Sequence, residues 1–395
     1  MMKRLFSTGS FLLLSIVVLL ILWLVPPAVE RSMNKVKPHD PYEVSEEAQA
    51  LHDSLLIADL HADSLLWSRD LKVHSNYGHA DLPRMRRGNV AIQVFPAVTK
   101  SPSGLNYESN VAESRDNITL LAIAQTWPPR TWRSLTERAL YQAERLARLE
   151  KQIPEQVRII RSAKDLKVAL ATRNNENRMV AALLATEGSH ALEGKLANIQ
   201  TLYDAGYRMM GLHHFFDNRL GGSLHGVTRE GMTDFGRAAV NIMEEMGIIV
   251  DLSHSSAAVV NDVLNTASRP VVISHTGLQG MCDSPRNISD RLIERIAEKG
   301  GLIGIGFWED AVCDDSPAGI ARMIMYAIDI AGVDHVALGS GFDGAVKTSM
   351  DVSEIAALTQ ALLDEGLSED DIRKVMGENT RDFLLKWLPQ NAVRL

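Results

Sequence analysis

Cysteine is scarce in this chain: Cys282 and Cys313 are the only two in 395 residues. That excludes a disulfide-dense scaffold, and two isolated sulfurs cannot complete a thiolate metal cluster. Aromatics reach only 6%, and no basic stripe is interleaved with them. With a formal net charge of -8, the composition argues against nucleic acid as the main partner. No internal repeat or low-complexity tract stands out. The cysteines lie just beyond predicted strands; two free thiols are the simpler reading, while an extracytoplasmic location permits a disulfide.

The longest charge-free run lies near the amino terminus. Lys3 and Arg4 precede a run from residue 5 to residue 29 without a charged side chain. A cationic start followed by more than the ~20 apolar residues that span a bilayer reads as a membrane anchor or a signal segment. Positive charge before the span favours an amino-in orientation, so the body is expected outside the cytoplasm, at a periplasmic or cell-surface location, or secreted if the segment is cleaved. The resulting division is residues 1–29 as anchor or signal, 30–41 as a polar, Pro-containing linker or stalk, and 42–395 as the folded domain.

Within that domain, apolar runs alternate with amphipathic segments. Eight strands are predicted, at residues 55–59, 90–98, 180–186, 208–213, 247–252, 270–274, 302–307 and 335–339. Most are continuously apolar, as expected of strands covered on both faces. Helical patterns fill the gaps; Thr233 is a plausible N-cap and Gly247 a stop for the clearest of them. Eight strands separated by helices imply an α/β fold, a closed (β/α)₈ TIM-like barrel.

Four of these runs end in chelating side chains: "LLIADLHAD" in His61 and Asp63, "VAALLATEG" in Glu187, "GIIVDLSH" in His254 and "PVVISHTG" in His275. Strand alternation puts His61 and Asp63 on one side. A Glu directly after a buried strand is costly unless paired or metal-bound. Three imidazoles and two carboxylates suit Zn²⁺, and they exceed the needs of one tetrahedral site. Two metals sharing a carboxylate is the economical reading.

These motifs resemble the membrane (renal-type) dipeptidase family of metal-dependent amidohydrolase barrels. The likeness runs from about residue 54 to about residue 388, through "ADLHAD", "HADLPRMRRGNVAIQVF", "ATEGSH", "DLSHSS", "VISHTG", "RNISD" and "GENTRDFL" in family order. The resemblance implies that His61 and Asp63 hold one zinc, that His254 and His275 hold the other, and that Glu187 bridges them. It makes His214 the residue that contacts the scissile carbonyl or the tetrahedral intermediate, Arg286 the one that binds the substrate carboxylate, and a homodimer the expected assembly. His213 reads as structural. Two zinc ions would lower the pKa of a bridging water and give hydroxide at neutral pH, and a guanidinium would measure the distance from a terminal carboxylate to the scissile bond.

One position departs from the family. "GSGFDGAV" carries Gly341 where the family has an aspartate near the substrate's free amine, and only Asp343 remains. Asp343 either takes over as a catalytic carboxylate or keeps a structural role. Three functions stay open: a dipeptidase with weakened amine recognition, a hydrolase for another amide such as an N-acyl amino acid, and a metal-binding protein with little catalysis.

Overall fold

The computed structural model describes residues 24–391. Eight parallel strands form the body: β1 (Ile57–Asp59), β2 (Val90–Val98), β3 (Val180–Glu187), β4 (Tyr207–Gly211), β5 (Ile249–Asp251), β6 (Val272–Thr276), β7 (Leu302–Ile305) and β8 (Val336–Leu338). Each pairs with the next in sequence, and β8 returns to β1 through the Leu338–Asp59 register, which closes the barrel. All eight predicted strands are present. A ninth, Val157–Ile159, escaped the sequence reading; it pairs with the first residues of β3. Three residues with one partly exposed give too short an apolar run to register.

Two core layers fill the body. Ala58, Ile92, Val94, Ala181, Leu183, Ala185, Met209 and Val272 belong to the inner cluster, joined by Phe383 and Leu384 of the carboxyl-terminal helix Asn379–Trp387. A larger cluster binds the outer strand faces to the helices. The helix Asp234–Glu245 starts as expected, with the Thr233 side chain accepting from the Gly236 N–H. Removing such a cap costs ~1 kcal/mol.

Most of the predicted span at residues 5–29 lies outside the described residues. Among those described, no helix is long and apolar enough to cross a membrane. Residues 24–33 are helical and are followed by a short strand, Lys35–Val36, paired with Lys347–Thr348. The segment expected as a free stalk is therefore docked on the barrel. Glu30 is buried and ion-paired with buried Arg69, which also pairs with Asp343. The polar residues of this expected linker match partners far along the chain.

The cysteines correct the simpler expectation. Cys282 and Cys313 form a disulfide with Cα atoms 5.6 Å apart. They tie the loop after β6 to the short helix Glu309–Val312 after β7. Asn287 braces the same junction, donating to the carbonyls of Cys282 and Ala311. Two loops consecutive around the barrel bring the sulfurs together, which linear separation conceals.

Candidate metal centre

The chelating residues converge at the carboxyl ends of the strands. Alternation along β3 carries the inner face of Ala181, Leu183 and Ala185 on to Glu187. Gly188, at φ +77°, then turns the chain in a left-handed conformation, and a Cβ there would meet the His190 ring at 2.7 Å. Glu187 Oε1 lies 3.4 Å from His61 Nε2, 3.2 Å from His254 Nε2 and 3.4 Å from His275 Nε2. Asp63 Oδ2 is 3.4 Å from His61 Nε2. His214 Nε2 stands 3.5 Å from the other Glu187 oxygen. Two groups of donors close enough to hold an ion share Glu187: His61 with His275, and His214 with His254. All five predicted ligands are thus together, and His214 lies among them rather than apart.

The donor set fits a cation. Asp63 Oδ1 is buried without a hydrogen-bond partner. Burial drives His254 and His275 well below the ordinary imidazole range, so both present neutral lone pairs, their Nε2 atoms 3.0 Å apart. Burial and the neighbouring Asp63 push Glu187 up to about 8. Burial disfavours the His61 cation, yet Asp63 and Glu187 outweigh it and lift the group to about 9. The cluster gathers protons where a divalent ion would supply the same charge.

Two buried aspartates behind the ligands were missed at the sequence level. Asp251 accepts from the Ser253 and Ser274 N–H groups and from Ser274 Oγ, which lies 2.9 Å from His275 Nδ1. Asp59 accepts from Ser340, from Gln93 and from the His61 N–H. Such groups orient ligand rings and fix their tautomers. Their signal was present: each is an aspartate closing an apolar strand, two or three residues before a ligand.

His214 is neutral, its pKa lowered to about 3 chiefly by burial. Its Nδ1 lies 3.3 Å from the Lys100 carbonyl, which can only accept, so the proton sits there and Nε2 carries the lone pair. Arg286 is 2% exposed and donates to the His275 carbonyl. Among the described residues no carboxylate lies within salt-bridge distance of it. A buried guanidinium without an anion is expensive, and this one lines the same cavity of about 570 Å³ as the ligands.

Asp343 does not take the place of the missing aspartate. Its carboxylate accepts from Ser64 Oγ, the His79 N–H and Arg69, and it is fully buried away from the cavity lining. Burial pushes its pKa up, but Arg69 and His79 outweigh that and hold it below the usual range. It is a structural anion. At Gly341 the backbone has φ +70°, and a Cβ would meet the Trp308 ring at 2.9 Å. The indole lies where an aspartate side chain would begin.

A closed parallel barrel with buried His and carboxylate ligands at its strand ends defines a metal-dependent hydrolase of the amidohydrolase type. The family model for membrane dipeptidase (peptidase family M19) matches residues 45–384, and the chain belongs to that family. It is similar to dipeptidase aclJ of Aspergillus oryzae, 28% identical over 82% of this chain and 76% of that protein. Among solved structures, a metallo peptidase from Rhodobacter sphaeroides, liganded with a phosphinate mimic of the dipeptide L-Ala-D-Ala, aligns with TM-score 0.69 at 24% identity, covering 85% of this chain and 99% of its own. The probable dipeptidase PvdM from Pseudomonas aeruginosa gives 0.70 at 19%, covering 88% and 98%. At these identities the two structures speak for the fold. The chain is a metallo-dipeptidase, an enzyme that hydrolyses dipeptides with a bound metal.

Proposed function

We propose that this enzyme hydrolyses dipeptides with a free carboxyl end, using two zinc ions held by His61, Asp63, Glu187, His254 and His275, with His214 beside them. The observation that carries this reading is the convergence of three imidazole Nε2 atoms on one oxygen, Glu187 Oε1, at 3.2–3.4 Å. When bound, the ions supply Lewis acidity that lowers the pKa of a water and polarises the amide carbonyl. Arg286 holds the substrate carboxylate in a guanidinium fork. Its burial excludes water and strengthens that contact. His214 Nε2 faces the cavity as a proton acceptor; a proton that it takes from the attacking water can be passed on to the leaving amine. Asp251, through Ser274 Oγ, holds the His275 ring, and Asp59 fixes the backbone at His61.

The decisive experiment pairs elemental analysis with release of amino acids from L-L and L-D dipeptides and their N-acetylated counterparts. Two equivalents of zinc and turnover of free dipeptides are expected. Turnover of acetylated substrates alone would move the function to N-acyl amino acid hydrolysis. We further propose an extracytoplasmic, membrane-anchored location, supported by the apolar run at residues 5–29 and by the Cys282–Cys313 bond. Degradation by protease added to intact cells or spheroplasts is the expected outcome; protection in intact spheroplasts but not in lysed ones contradicts it.

A further inference from the structure

The helix at residues 24–33 lies outside the stretch that the family model matches, 45–384. Even so, Val25, Pro26, Val29 and Met33 line the cavity that holds the metal ligands. Val29 packs on a small separate cluster containing Leu66, Trp67 and Ile118, residues that line the same cavity. Three features hold the helix there: the buried Glu30–Arg69–Asp343 ion pairs, the Asn34 side chain accepting from the Ala345 N–H, and the Lys35–Val36 strand pairing. The position is fixed by partners on the loop that carries Gly341.

Barrel order then assigns the two ends of a substrate. Arg286 comes from the loop after β6. The chamber walls come from the loops after β8, β1 and β2, through Val346, Trp67 and Leu105. A dipeptide whose carboxylate sits on Arg286 and whose scissile bond lies over the ligands extends its amino-terminal residue toward that apolar side. There Gly341 offers no carboxylate, and Trp308 covers its Cα. Val25, Met33, Leu105 and Leu120 line the chamber and are 41–51% exposed, so its mouth is apolar as well.

We propose that helix 24–33 is a specificity element that completes a chamber for a large apolar side chain on the amino-terminal residue of the dipeptide. The inference rests on the dipeptidase reading and narrows it. Its test uses the metal-loaded full chain and a series of Xaa-Gly dipeptides running from Ala through Leu to 2-aminooctanoic acid. The kcat/KM ratio of the longest to Ala-Gly is expected to exceed one, and to fall about tenfold in the Val29→Ser/Met33→Ser double variant, the effect of losing a few methylene contacts. If the double variant is unstable, Met33→Gln, at a half-exposed position, serves alone with a smaller fall. A ratio that does not change between native and variant protein overturns the proposal, as does a native ratio at or below one. If no dipeptide is cleaved, the dipeptidase reading fails, and the chamber is judged by binding of N-phenyl-1-naphthylamine. Fluorescence enhancement lost in the variant supports the chamber; equal enhancement in both proteins overturns it.

Discussion

Arg286 and His52 show how one buried side chain is read by its surroundings. Arg286 has a single carbonyl partner and a cavity before it. Arg286→Gln is expected to raise KM for dipeptides about 10–100-fold, the range for losing a charge-assisted pair; carboxyl-amidated dipeptides, already poor substrates, should change little in the same assay. His52 is far from the site, its Nδ1 2.9 Å from Thr359 Oγ1 and its pKa lowered to about 4 by burial. The folded state binds this proton less readily than the unfolded chain, so stability is fully present above about pH 6.5 and falls as pH drops toward 4. One such group accounts for about 3 kcal/mol across that window. Urea titrations at pH 7.5 and 4.5 should show a smaller difference for His52→Gln than for the native protein. The five ligands were legible because chelating letters end apolar strands. Asp59 and Asp251 were not, because an aspartate there reads equally as a turn. The fate of Asp343 depended on Arg69 and Ser64, residues nearly 280 positions away.

At the scale of elements, the loops after β6, β7 and β8 act together. The disulfide closes 31 residues of chain, which by chain entropy corresponds to about 3–4 kcal/mol. Cys282→Ser should lose stability of that order in denaturant titration, and its KM should rise more than its kcat falls, since Arg286 lies in the released loop. Gly341 is a second case. Replacing it with Asp puts a side chain at positive φ against Trp308, so Gly341→Asp should be destabilised by about 1–3 kcal/mol; adding Trp308→Ala should recover part of the loss, a coupling that a double-mutant cycle measures. The sequence identified the departure at Gly341 but not the indole that occupies its place, because the two are 33 positions apart on the loops after β8 and β7. In the sequence, residues 24–29 read as the end of an apolar anchor or signal and 30–41 as a linker, because the buried partners of Glu30 and Asn34 lie far along the chain.

The whole molecule derives its site from closure. Ligands come from β1, β3, β5 and β6, so no short fragment holds the set. Chelation should therefore remove activity and lower the midpoint of thermal unfolding together, and zinc should restore both, because an ion that binds only the folded barrel stabilises it by mass action. Asp251→Asn should weaken metal retention about 10–100-fold in a competition titration while the fold remains. The eight-strand count was legible since continuous apolar runs of strand length leave few alternatives. The docking of the amino-terminal segment was not, since it depends on long-range pairing rather than on period.

The buried guanidinium has a consequence for events after the bond breaks. Hydrolysis yields two amino acids: the one from the carboxyl side keeps the carboxylate that Arg286 holds, and the other gains a new carboxylate beside the ligand cluster. Each product therefore has a group in the site to hold it, and free amino acids should compete with incoming dipeptide, so turnover in a concentrated pool would be throttled by what has already been made.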